Sequence, residues 1–121
     1  MMHIQTEVYS EAIVLQLKGR FDYHTMEGFQ TALSQAEKPP NPPHIILDLH
    51  HLTFIDSMAI GRLVGTWHRL KRESTRFTLA AQTGYVDRVL KEIKLAAIIP
   101  TVPTVEEALA LPQMLERNSD A

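Results

Sequence analysis

One short apolar run near the middle of the chain constrains the fold more than any other segment. Residues 45–49 (Ile-Ile-Leu-Asp-Leu) are almost continuously apolar, which is typical of a strand covered on both faces at the centre of a sheet. A few residues later an apolar stripe recurs at helical spacing, formed by Ile60, Leu63, Val64, Trp67 and Leu70. A buried strand that leads directly into an amphipathic helix indicates an α/β fold. We expect Gly61 and Gly65 to let this helix lie close to the sheet.

The rest of the chain alternates strand patterns with helix patterns. Residues 2–9 and 12–17 predict two strands that pair as an antiparallel hairpin across Ser10-Glu11. The other predicted elements are a helix over 25–36, the central strand, the helix described above, a strand over 77–80, a helix over 86–93, a short last strand over 97–99 and a final helix that opens at the capping box 104–107. The order is therefore β-β-α-β-α-β-α-β-α, in a mainly parallel central sheet with one antiparallel edge hairpin.

The length of the chain indicates one domain. With 121 residues and no cysteine, we expect a single hydrophobic core and no disulfide framework. The domain is predicted to span 1–112, because Pro112 interrupts the last helix, and residues 113–121 are predicted to be a frayed tail. No stretch approaches the roughly 20 apolar residues of a membrane span, and the first residues lack a signal-peptide pattern. We therefore expect a cytoplasmic protein without direct membrane insertion.

Charge and motifs argue against several kinds of function. A net charge of −2 provides no field that would attract nucleic acid. Of the six histidines, only His50 and His51 are adjacent, and neighbours on a strand point to opposite faces, so we expect no metal site there. The sequence contains no phosphate-binding glycine loop, zinc-binding helix or nucleophile elbow, and we expect no cofactor. A hydrolase would need Ser57, a histidine and Asp22 or Asp48 to meet in space, so the prediction is a protein that is not an enzyme.

The pair Asp56-Ser57 lies where the apolar strand ends and the strong helix begins. Either residue type can cap a helix, since its side chain accepts hydrogen bonds from the first free backbone amides. An exposed serine at a helix N-terminus can also carry a phosphate, because the helix dipole and the free amides favour negative charge. Both interpretations are open at this point.

Two segments resemble a known family. The stretch 47–61, which reads Leu-Asp-Leu-His-His-Leu-Thr-Phe-Ile-Asp-Ser-Met-Ala-Ile-Gly, resembles the STAS family, the domain shared by sulphate transporters and anti-sigma factor antagonists. Residues 19–25, Gly-Arg-Phe-Asp-Tyr-His-Thr, resemble the family's Gly-x-(Leu/Phe)-Asp-x-x-(Thr/Ser) loop. The element order fits the family from residue 2 to about residue 111, so the resemblance implies a single STAS-like domain of the antagonist type.

The resemblance implies a function and a set of site residues. In such antagonists the serine at the position of Ser57 is phosphorylated by a partner that is both a serine kinase and an anti-sigma factor. The unphosphorylated form binds this partner, phosphorylation releases it, and a metal-dependent serine phosphatase restores the binding form. The residues expected at the partner surface are Asp22, Thr25, Asp56, Met58 and Ala59.

The sequence departs from the family pattern beside the acceptor. Met58 stands where Ser or Thr is usual, and Ala59 stands where Gly is usual. The alternative is therefore a STAS subunit that is not phosphorylated, either a scaffold in a signalling assembly or the small cytoplasmic subunit of a lipid-transporting ATPase complex.

Overall fold

The sheet contains strands of very different length. In the computed structural model, which describes residues 1–40 and 42–111, the strands are β1 (Met2–Val8), β2 (Ile13–Phe21), β3 (His44–Ile55), β4 (Arg76–Ala80) and β5 (Thr101–Val102). They lie side by side in chain order and form one five-stranded sheet. The β1–β2 pair is antiparallel, and the other neighbours are parallel. This confirms the predicted α/β class with one antiparallel edge hairpin.

The helices follow the predicted order. They are α1 (Met26–Ala36), α2 (Ser57–Arg72), α3 (Gly84–Glu92) and α4 over 105–111, where the described residues end. Single 3-10 turns lie at Tyr23–Thr25 and Leu95–Ala97. The predicted break at Pro112 and the predicted tail 113–121 lie outside the described residues. No helix within 1–40 and 42–111 is both long and apolar enough to cross a membrane.

The core has two parts because the sheet is covered on both faces. Alternate residues of β3 point to opposite sides, so Leu47 joins the main core with α1, α2 and α3, while Ile46 joins a smaller cluster with Ala108 of α4. The side chains of residues 45–47 are fully buried. The apolar run is thus the central strand, as predicted.

The predicted strand over 97–99 is wrong. Residues 95–97 form a 3-10 turn, and the last strand is β5, two residues after the predicted segment. Lys94 adopts a left-handed conformation, and the Ile99 amide donates to the Leu95 carbonyl at 2.9 Å. Leu95 and Ile99 are both buried because the turn directs side chains four residues apart to one side. The four-residue spacing of Leu95 and Ile99 is typical of a helical turn. The apolar run is too short for this spacing to distinguish a helical turn from a strand.

The expected role of the two glycines of α2 is also wrong. Gly61 and Gly65 are exposed, and a Cβ atom added at either would meet nothing within 4 Å. The apolar stripe of α2 faces the sheet with Leu63 and Leu70 buried, so these glycines lie on the solvent side of the helix.

The side chains of His50 and His51 do not point to opposite faces as expected, because they lie at a bulge in β3. The β2–β3 register passes from Gln16↔Asp48 to Lys18↔His51, so β3 contains one extra residue at this point. The alternation of side chains is broken there, and the rings of His50 and His51 meet edge to face with centroids 4.7 Å apart. Within the described part of the chain, no group of three or more His, Cys, Asp or Glu side chains could hold a metal ion.

Candidate protein-binding site

Two loops meet at the edge of the sheet where β2 and β3 end. These strands are parallel, and their last residues, Phe21 and Ile55, are register partners. Asp22 and Asp56 therefore leave the sheet side by side. The Asp56 amide donates to the Phe21 carbonyl at 3.2 Å, which extends the pairing into the second loop.

The two carboxylate oxygens of Asp56 join the two loops of the site. Oδ1 accepts from the amide of Ala59 at 2.8 Å and so caps α2. Oδ2 accepts from the amide of Tyr23 at 3.1 Å and so fixes the neighbouring loop. Of the two interpretations of the Asp56-Ser57 pair, the capping role belongs to Asp56. This leaves the serine side chain unused as a cap.

Ser57 is the first residue of α2 and is exposed. Within the described residues its hydroxyl forms no hydrogen bond, so no histidine or carboxylate lies next to it as a bonded general base. The hydroxyl stands at the N-terminus of a 16-residue helix, where the helix dipole favours negative charge. The geometry suits a group that another protein reads or modifies, and it lacks the bonded base of a hydrolytic serine.

The loop after β2 is shaped by a capping box. Asp22 Oδ1 accepts from the His24 amide at 2.9 Å, and Thr25 Oγ1 accepts from the Asp22 amide at 3.0 Å. Thr25 Oγ1 also donates to the Arg20 carbonyl at 2.9 Å. The hydroxyl of Thr25 is thus occupied in positioning this loop. Asp22 keeps 16% of its side chain exposed, and Arg20 Nε lies 3.6 Å from Asp22 Oδ2.

The residues that flank the serine have different environments. Met58 is 53% exposed and forms part of the surface around Ser57. Ala59 is fully buried, so its methyl group packs in the main core and is not available at that surface. Tyr23, which is not among the site residues predicted from the sequence, is 64% exposed on the loop that Asp56 fixes. The signal that could have revealed it was an aromatic residue between the two members of the capping box.

The structure is thus a small α/β domain with an exposed serine at the start of the helix that follows its central strand. The family model for the STAS domain matches residues 3–108. The chain therefore belongs to the STAS domain family, and the resemblance of its two motifs is confirmed.

Several relatives and structural neighbours of this chain are anti-sigma factor antagonists. An anti-sigma F factor antagonist from Paenibacillus polymyxa is 24% identical over 108 residues, which cover 89% of this chain and 92% of that protein. The crystal structure of an anti-sigma factor antagonist from Mycobacterium paratuberculosis has a TM-score of 0.82 at 22% identity, over 92% of this chain and 93% of that one. The Bacillus cell fate determinant SpoIIAA in its phosphorylated form has a TM-score of 0.66 at 27% identity, over 88% of this chain and 96% of that one.

Proposed function

We propose that this protein is an anti-sigma factor antagonist that binds a kinase-type anti-sigma factor through the surface around Ser57, and that phosphorylation of Ser57 releases the partner. The observation that carries the proposal is the exposed hydroxyl of Ser57 at the first position of α2. The names of the relatives support the antagonist role. That SpoIIAA has a phosphorylated form supports the switch.

The separate roles of Asp56 and Ser57 favour a serine that can be modified. Because Asp56 caps the helix, the Ser57 hydroxyl can change its chemistry without loss of the cap. The exposed side chain can enter the active site of a kinase, and the helix dipole stabilises the charge that the phosphate adds. A metal-dependent serine phosphatase can reach the same position and return the protein to its binding form.

The surroundings of Ser57 supply both affinity and a means of release. Tyr23 and Met58 offer exposed apolar area beside the hydroxyl, which a partner can bury. A phosphate adds about −1.5 to −2 charges and must be desolvated if the interface closes over it. Repulsion from Asp22 and Asp56 adds to this cost, since two unit charges about 6 Å apart at an effective dielectric near 20 interact by roughly 3 kcal/mol before salt screening.

Binding measurements with phosphomimetic variants test the proposal. The purified protein is titrated calorimetrically with a candidate anti-sigma factor that has serine kinase activity, in the absence of ATP. We expect Ser57→Asp to weaken binding by about tenfold or more, because one added charge beside two carboxylates costs more than 1.4 kcal/mol. Ser34→Asp makes the same change on the exposed side of α1 and is the matched control. Equal affinities of the wild type and Ser57→Asp contradict the switch.

The departure at position 58 favours a second candidate function. Met58 enlarges the apolar surface next to the serine where the family has a small polar residue. A permanently bound STAS subunit, as a scaffold or in a transport ATPase complex, uses this surface without phosphorylation. In that case Ser57→Asp and Ser57→Ala both leave the complex intact, whereas Met58→Asp disrupts it.

A further inference from the structure

The outer edge of β1 is an open edge of the sheet. β1 is the first strand in the sheet order, so within residues 1–40 and 42–111 it has a neighbouring strand on one side only. The Arg20 amide donates to the Met1 carbonyl at 3.3 Å, and the Tyr9 amide donates to the Ala12 carbonyl at 2.8 Å. Bonded residues alternate along an antiparallel pair, so the odd-numbered residues of β1 bond to β2. The N–H and C=O groups of the even-numbered residues point away from the sheet; these residues are Met2, Ile4, Thr6 and Val8.

This edge lacks the features that usually prevent pairing with another chain. Edge strands are commonly protected by lysine, proline, a bulge or a very short length. The opposite edge of the sheet is protected in this way, since β5 contains two residues. β1 contains seven residues without lysine, arginine or proline, and it pairs with β2 without a register shift. The row of outward backbone groups is therefore long and regular, and Val8 at its end is 77% exposed.

The sequence of β1 complements itself when a second copy runs antiparallel to it. With Gln5 opposite Gln5 across a two-fold axis, Ile4 faces the partner's Thr6 and Met2 faces the partner's Val8. All the outward-facing residues then lie in hydrogen-bonded pairs, each of which exchanges two bonds. A shift of two residues in either direction removes one of these pairs. The register centred on Gln5 therefore makes the most hydrogen bonds.

The side chains also match in this register. Ile4 packs against the main core, so His3 and Glu7 lie on the opposite face of the sheet, where both are exposed. His3 faces the partner's Glu7 in a non-hydrogen-bonded pair, in which side chains are closest, and an imidazole N–H can donate to that carboxylate. Lys18, the register partner of His3 on β2, adds a positive charge beside it. Within the described residues His3 forms no hydrogen bond, and Glu7 accepts from the Tyr9 hydroxyl at 3.4 Å through one oxygen.

We propose that two copies of this chain pair through the outer edges of β1 and join their five-stranded sheets into one continuous sheet. The interface is isologous, with the same strand on both sides of the two-fold axis. The axis reverses the strand direction, so the ends of β2 and β3 in the two copies lie at opposite edges of the combined sheet. Both Ser57 surfaces therefore stay open, and one dimer can bind two partners. The pairing does not use Ser57, so it is independent of the function proposed above.

Sedimentation equilibrium over a range of protein concentrations tests the dimer. A single strand pair is a small interface, so we expect the wild type to pass from monomer to dimer as its concentration rises. Thr6→Pro removes an outward N–H group and leaves the bonds to β2 in place, which an edge strand tolerates. It is expected to weaken dimerisation by about tenfold or more. A wild type that stays monomeric up to millimolar concentration overturns the proposal.

A charge exchange tests the register. His3→Glu places two carboxylates opposite each other at both ends of the strand pair, and it is expected to weaken dimerisation by about tenfold. The double variant His3→Glu/Glu7→Lys restores opposite charges and is expected to dimerise within about threefold of the wild type. His68→Glu makes the same change at an exposed position of α2 and is the matched control. Equal effects of His3→Glu and His68→Glu, or no recovery in the double variant, overturn the proposal.

Amide hydrogen exchange locates the interface in the wild type. The outward amides of Ile4, Thr6 and Val8 are expected to exchange more slowly as the protein concentration rises, whereas the odd-numbered amides of β1 already bond to β2 and are expected to change little. A dimer that leaves the three outward amides unprotected overturns the proposal. Protection of these amides in a protein that stays monomeric also overturns it and assigns the edge to an extended peptide segment.

Discussion

Replacing Asp56 with alanine removes two hydrogen bonds that join the candidate site to the fold. Loss of a helix N-cap costs about 1 kcal/mol. Loss of the charged acceptor for the Tyr23 amide costs about 1 kcal/mol more, at the low end of its range because water can reach this amide. We therefore expect Asp56→Ala to lower the free energy of unfolding by about 2 kcal/mol.

Two further substitutions separate the roles of Asp56 and Ser57. Asparagine has one side-chain carbonyl oxygen, so Asp56→Asn can keep the Ala59 bond or the Tyr23 bond but not both, and it is expected to lose about 1 kcal/mol. Ser57→Ala is expected to stay within about 0.5 kcal/mol of the wild type, because the exposed hydroxyl bonds to no described residue. The two neighbours then have separate roles, one structural and one at the surface.

Urea unfolding followed by the fluorescence of the single tryptophan, Trp67 of α2, measures these differences. Asp87→Ala is the matched control, since Asp87 lies in the first turn of α3 but pairs with Lys91 and does not cap the helix. It is expected to lose at most about 0.5 kcal/mol. A loss below about 0.5 kcal/mol for Asp56→Ala, or an equal loss for Ser57→Ala, refutes the division of roles.

Three other predictions concern stability away from the site. Burial, together with the charge of Arg76, lowers the pKa of His44 to about 4. The neutral imidazole therefore contributes its full stabilisation above about pH 6.5 and loses it as the pH falls towards 4. We expect the free energy of unfolding to be about 2 kcal/mol lower at pH 5 than at pH 7 because of this residue, a difference that His44→Gln removes and that the exposed control His68→Gln retains. Gly65→Ala is expected to raise the free energy of unfolding by about 0.5–1 kcal/mol, because the site is open and helical. Gly19→Ala is expected to destabilise, because φ is +108° there, and thermal unfolding that ranks the two alanine variants in the opposite order contradicts this account.

The sequence predicted those parts of the fold that depend on local periodicity. The buried run of β3 and the apolar stripe of α2 each repeat with the period of their own structure, so their type and order follow from residue spacing. The last strand was misplaced because Leu95 and Ile99 lie in a run too short to show its period. The full length of β3 was also missed, since a bulge interrupts the alternation at His50 and His51.

The sequence predicted which residues form the candidate site more completely than it predicted the contacts between them. Ser57 and Asp22 were found because each lies in a recognisable motif. The bond between Asp56 and the Tyr23 amide depends on the parallel register of β2 and β3, and residues 33 positions apart show no such relation in the sequence. Pairing across the sheet fixes this contact, whereas local spacing does not.

We propose that Ser57 is the group through which another protein controls this one. The intact mass of the protein after incubation with ATP and a candidate kinase-type anti-sigma factor, with Ser57→Ala treated in parallel, tests this role. We expect a gain of one phosphate by the wild type and no gain by Ser57→Ala. No gain by the wild type, or an equal gain by Ser57→Ala, contradicts it.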